Sequence, residues 1–203
     1  MFENQLLEEF RQRLFGDTER ERAERSDPNS LAADIALTEI VLGDLEEAGV
    51  LSEHDLCPHE DVSGRNRSRI IGYSLAEDSS RLELITSRFV PQDEGTLLPA
   101  HELSRLAGQA ARFFGYAARG EHDRFQDSLS AKEAARRIKD ELDRIEDIRI
   151  HIITNALGAC LRNHDWRWPA VSVQIDGGCQ AVACASLRRL WAVQIIAHSP
   201  LTF

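Results

Sequence analysis

The chain has 203 residues, 42% apolar and 29% charged, which is enough to bury a real core and excludes a disordered tail. Its formal charge of −10 works against non-specific binding to phosphate backbones, which needs a surplus of Lys and Arg. The N-terminus Met1-Phe2-Glu3-Asn4-Gln5 lacks a basic leader, and no run approaches the roughly 18 apolar residues of a membrane span, so a cytoplasmic protein with no membrane contact is expected.

Phe2, Leu6, Phe10 and Leu14 recur every four residues and predict a first helix. The mixed-charge segment Asp17 to Asp27 reads as its solvated end and a linker, so residues 1–26 form a helical arm ahead of an α/β domain over 27–203. Asp27-Pro28 then has the form of an N-cap with proline in the first turn, followed by Leu31, Ile35, Thr38, Leu42 and Leu45 on one face and closed by Gly49.

A short strand is expected at Cys57 to Asp61. Two alternating apolar runs, near Arg69–Leu75 and Arg81–Val90, flank an acidic turn, which is a β-hairpin signal. Leu103, Leu106, Ala110, Phe113, Phe114 and Ala117 mark a helix from about Pro99, ended by Gly120. Ser130-Ala-Lys-Glu133 reads as a capping box opening a helix with Ala134, Ile138, Leu142 and Ile145 as its stripe. Strands are expected at Ile148–Thr154 and Ala170–Ile175, while Gln180 to Ile196 stays ambiguous between helix and strand.

The order of hairpin, flanking helices and the strand Asp147-Ile-Arg-Ile-His-Ile-Ile-Thr-Asn155 resembles the N-terminal region of the abortive infection phage resistance (AIPR) family, over about Leu31 to Asn155. The likeness rests on Asp44-Leu-Glu-Glu-Ala-Gly-Val50, the Gly72-Tyr73 pair, the acidic turn Glu77-Asp78, Leu82-x-Leu84, Arg88-Phe89 and the terminal Thr-Asn. It implies a bacterial antiphage context and a longer protein in which a distinct C-terminal domain follows. The chain departs from the family pattern at Ile71, where an aspartate commonly precedes Gly-Tyr, and at Ala185-Ser186, where Trp-Asp commonly stands.

A metal-dependent nuclease built on such a hairpin needs an acid on the first strand and Glu-x-Lys on the second, so that carboxylates hold Mg²⁺ and lysine activates water. Here the first position is Ile71 and the second strand reads Glu83-Leu84-Ile85. The chain's two lysines, Lys132 and Lys139, both fall on a later helix. Glu39 and Glu83 are the remaining catalytic candidates, and Mg²⁺ enters only if that alternative holds.

Cys57, Cys160, Cys179 and Cys184, with His59 and His164, have permissible zinc spacings but no paired knuckles, so free thiols, no metal and no cofactor are expected. The arginines Arg65, Arg67 and Arg69, and Trp166-Arg167-Trp168, are candidate nucleic-acid or partner contacts; solvated charge and a loop packed on the sheet edge are the simpler readings. Arg136, Arg137 and Lys139 form a second basic cluster. Trp191, Val193, Ile195 and Ile196 are interface candidates for a homo-oligomer, a C-terminal domain or a companion defence protein. The sequence therefore predicts a mixed α/β fold, a central four- to five-stranded sheet flanked by helices and restriction-endonuclease-like by analogy. Its expected role is non-catalytic recognition or regulation in phage defence, with a divergent nuclease and a dimerisation scaffold as alternatives.

Overall fold

The computed structural model describes residues 2–25, 31–47, 54–61, 67–91, 97–125, 127–158, 165–167, 172–174 and 192–198, with side-chain surroundings from the part between residues 12 and 156. Among the described residues, four α-helices, α1 (Phe2–Arg25), α2 (Ala32–Glu47), α3 (Ala100–Ala118) and α4 (Leu129–Asp140), accompany nine strands. The strands are β1 (Asp55–Glu60), β2 (Arg69–Leu75), β3 (Arg81–Arg88), β4 (Leu97–Leu98), β5 (Asp147–Thr154), β6 (Leu157–Gly158), β7 (Asp165–Arg167), β8 (Ser172–Gln174) and β9 (Ala192–His198).

The main sheet runs β1-β2-β3-β5-β9. The first three strands form an antiparallel meander, β5 lies parallel to β3, and β9 is antiparallel to β5. Alternation sorts the two faces. Leu82 and Leu84 of β3, with Ile148, Ile150 and Ile152 of β5, face the core beneath α3 and α4, built around Phe113, Phe125 and Ile138. Ile85, Phe89 and Ile153 face the opposite layer with Leu37, Val41, Leu42 and Leu45 of α2 and Leu14 of α1. A mixed sheet with helices on both faces is the fold class that the hydrophobic pattern predicts.

Local chemistry explains the joints. Asp78 Oδ1 accepts from Ser80 N at 3.0 Å and Ser80 Oγ at 2.7 Å, and Ser79 takes φ 59°, so the acidic turn is held by its own side chains. Ser80 O then accepts from the backbone N–H groups of Glu146 and Asp147, fixing where β5 begins. On β1, the two residues between Leu56 and His59 oppose the single residue between Gly72 and Ile70 on β2. This bulge falls at Pro58 on an edge strand, where a missing N–H is tolerated. Gly72 permits the close approach beside it, since a Cβ there would sit 3.0 Å from the Asp55 carbonyl oxygen.

Three expectations are corrected and an open one is filled in. The charged segment after Asp17 is helical to Arg25, supported by Asp17–Arg20 and Glu19–Arg22 pairs one turn apart, and Leu14 and Phe15 pack against α2 and Phe89. The cap of α4 is Ser128, whose hydroxyl accepts from Ala131 N at 3.3 Å, rather than Ser130. That helix stops at Asp140, and Leu142 lies in a following 3₁₀ turn. The ambiguous C-terminal stretch contains strand β9, and of the expected strand Ala170–Ile175 the structure describes Ser172–Gln174. Asp27, Pro28 and Gly49 lie outside the described residues.

Candidate functional site

Residues at odd positions of β3 and β5 face the α2 layer, and the register sets Glu83 beside Arg149 and Ile85 beside His151. Glu83 is thereby placed within a polar row at the amino-terminal end of the parallel pair. Its carboxylate Oε2 lies 3.8 Å from His151 Nε2, too long for a hydrogen bond, and that buried nitrogen has no hydrogen-bond partner among the described residues. Arg149 Nε donates to Asp147 Oδ2 at 2.9 Å, and Arg81 Nε stands 3.5 Å from the same oxygen.

Burial raises the Glu83 pKa, with Arg149 and Arg81 opposing it and Asp147 adding to it. Burial also lowers His151, to about 4, and Arg149 pushes the same way. The separation is within ion-pair range, but the imidazole is neutral at pH 7, so the pair is an uncharged ring beside a partly buried carboxyl group. Neither arginine is positioned as a lysine would be on β3.

The lysine position is Ile85, 1% exposed and packed in the α2-side cluster. The first-strand acid position, Ile71, is fully buried against Leu31 and Ile35. Lys132 pairs with Asp123 at 2.6 Å and Lys139 donates to Ala118 O at 2.8 Å, both on α4 across the sheet from Glu83. Glu39 sits half-buried on α2, and no three His, Cys, Asp or Glu side chains among the described residues are grouped to hold a metal ion.

A second polar cluster closes the carboxyl-terminal end of β3. Arg69, expected as an exposed contact residue, is buried: Nη2 donates to Asp34 Oδ2 at 2.5 Å and Ser87 O at 2.9 Å, and Nη1 to Glu60 Oε1 at 3.0 Å. Asp34 also accepts from the backbone N–H of Phe89. Burial raises the Asp34 pKa, with Arg69 the strongest opposing influence. Asn155 clamps Val90 from both sides, its Oδ1 accepting from Val90 N at 2.7 Å and its Nδ2 donating to Val90 O at 2.9 Å. These bonds tie α2, β1, β2, β3 and the end of β5 into one unit.

The other sequence candidates scatter. Arg67 is exposed, while Arg65 lies outside the described residues. Arg137 reaches Asp55 at 3.2 Å and the Tyr73 hydroxyl at 3.4 Å. Trp166 and Arg167 belong to a two-stranded ribbon, opposite Val173 and Ser172, rather than to a loop; Trp168 and Trp191 lie outside the description. Val193, Ile195 and Ile196 stand on β9, in register with Ile152, Ile150 and Arg149. Cys57 is buried, and burial raises its thiol pKa, so it stays protonated and inert. His59 packs edge-on against Phe125 at 4.9 Å, and Cys160, His164, Cys179 and Cys184 lie outside the described residues.

A family model described as the abortive infection phage resistance protein N-terminal domain matches residues 37–167, more than half of the chain. The chain belongs to this family. Neither a curated protein nor a solved structure matches it. In this AIPR N-terminal domain the match begins in α2 and runs through the hairpin and β5 to β7, so Glu83, Ile85 and His151 all fall inside it. Membership associates the chain with abortive infection resistance to phage. None of its described helices is long and apolar enough to cross a membrane.

Proposed function

We propose that this AIPR N-terminal domain is a non-catalytic recognition or regulatory module of a bacterial antiphage protein, acting in the cytoplasm with a C-terminal domain or companion defence protein. The observation that supports this reading is Ile85. A nuclease on this hairpin needs a cation two residues beyond Glu83 to orient water, and the site instead holds an isoleucine sealed against α2. Beside Glu83 stands a histidine kept neutral by burial, with two arginines anchored on Asp147. A desolvated carboxyl group in this setting supports a place in the packed sheet face rather than the binding of a hydrated divalent ion, and the reading requires no cofactor.

The experiment is a cleavage assay. Purified protein is incubated with plasmid, single-stranded DNA and RNA in Mg²⁺ or Mn²⁺, beside a Glu83→Ala variant. No cleavage above a no-protein control is expected. Cleavage that the substitution abolishes would replace this reading with a divergent nuclease using Glu83.

A further inference from the structure

Helix α3 lies on the sheet face opposite Glu83 and turns a line of arginines to solvent. Arg105, Arg112 and the C-cap Arg119 are spaced by seven residues, two helical turns, so they recur on one side of the helix about every 10 Å. Arg105 and Arg119 are 40% and 54% exposed, and neighbouring Arg124 is 51% exposed. The line is held in place. Arg112 Nε donates to the carbonyl of Arg67 at 2.6 Å, bringing that exposed residue alongside. The guanidinium groups of Arg119 and Arg124 lie over the Tyr116 ring, at 5.1 and 4.4 Å from its centroid.

The charge is unbalanced locally. Among the described residues, Glu102 pairs with Arg105 and Glu121 serves both Arg119 and Arg124, so two paired carboxylates accompany five guanidinium groups in a chain whose overall charge is −10. Burial lowers the Arg112 pKa, Tyr116 opposes that shift, and Arg105 adds a smaller push downward. Like charges gathered in an acidic protein store repulsion that a bound anion relieves. Every cation on the line is an arginine, whose planar fork matches phosphate oxygens two at a time, and the repeated spacing suits a polyanion better than one isolated ion.

We propose that this α3 arginine line, with Arg67 and Arg124, binds the phosphate backbone of nucleic acid. The proposal concerns a surface separate from Glu83 and holds whether or not the domain cleaves. About three phosphate contacts would give a log–log salt slope of about −2 to −3.

Fluorescence anisotropy tests it with labelled single-stranded DNA, single-stranded RNA and duplex DNA of about 20 nucleotides, at low salt and in EDTA so that metal-dependent cleavage cannot interfere. The variants are R105Q/R112Q/R119Q and, should loss of the Arg112–Arg67 bond disturb folding, R105Q/R119Q. The control is Arg144→Gln, because Arg144 is 69% exposed and distant in sequence from the line. Binding weakened about tenfold or more by the patch variants is expected, with the salt slope shallower by about one per arginine removed and the control unchanged. Absence of binding to all three probes, equal weakening by Arg144→Gln, or competition by poly-glutamate as strong as by unlabelled DNA would each overturn it.

Discussion

Replacing Arg69 with methionine should unfold this domain more readily than any surface change, because the guanidinium group is the only cation that reaches Asp34 through a described hydrogen bond. Both side chains are about one-twentieth exposed, at 4% and 5%. The substitution leaves a buried carboxylate with the Phe89 N–H as its one described hydrogen bond and the Arg88 charge as a weaker influence, and it also removes partners from Glu60 and the Ser87 carbonyl. Breaking one side of a buried pair costs about 3–5 kcal/mol. At a urea m-value of about 2 kcal/mol/M, the far-UV circular dichroism midpoint should fall by about 1.5–2.5 M.

The pH dependence adds a check on the cause. Burial already holds the folded Asp34 pKa above its ordinary value, and Arg69 restrains that rise. Without Arg69 the folded pKa climbs further. A raised folded pKa means a contribution that is full below the unfolded value and is lost as pH rises through the folded one. The Arg69→Met deficit should therefore be larger at pH 8 than at pH 5. Adding Asp34→Asn should cost less than the two single losses combined, since the uncompensated charge is gone. A midpoint shift below about 0.5 M, or strictly additive losses, would show that the ion pair does not hold α2 to the sheet.

Two further outcomes follow from the same packing. Leu84 is fully buried at the centre of the hairpin, so Leu84→Ala should cost about 2–5 kcal/mol; an unchanged thermal midpoint would contradict its place in the core. His151 is held near pKa 4, so stability is full above pH 6.5 and is lost as pH falls from there toward 4, whereas the raised Glu83 group acts in the opposite sense. Denaturant titrations at pH 7, 5.5 and 4.5 should show that His151→Leu flattens the acid loss, and an identical loss in the variant would exclude His151 as its source.

Much of the fold was legible because one-sided burial leaves a period. Leu82 and Leu84 alternate with Glu83 and Ile85, and the two sets do pack into different layers. Helix α3 repeats its apolar residues and ends at Gly120, whose φ of 74° suits glycine. Where stability comes from charge or distant partners, period says little. The second half of α1 is built on i,i+3 ion pairs and has no apolar stripe to betray it.

Arg69 looked like one of three alternating surface arginines because its partner lies 35 residues away. A signal did exist: Asp34 interrupts the apolar face marked by Leu31, Ile35, Thr38 and Leu42, and an acid on a buried stripe requires a buried cation. His151 was hidden in another way. In a strand buried on both faces every position reads as core, and a lone histidine there announces neither its neighbour Glu83 nor its neutral state.

The parallel pairing of β3 with β5 has a consequence for how this domain is made. Strand β3 closes at Arg88, but β5, the strand that pairs with it in parallel, begins only at Asp147, 59 residues later in the chain. At about 5–20 residues per second, a ribosome needs roughly 3–12 s to synthesise that interval. During it the α2–β1–β2–β3 unit can already form its antiparallel meander and its Arg69 latch, while the β3 edge stays open with a row of unsatisfied backbone groups. The newborn chain is thus most exposed to strand-by-strand misassociation after the hairpin has formed and before Asp147–Thr154 emerges, and any chain cut short in that window would carry the same open edge permanently.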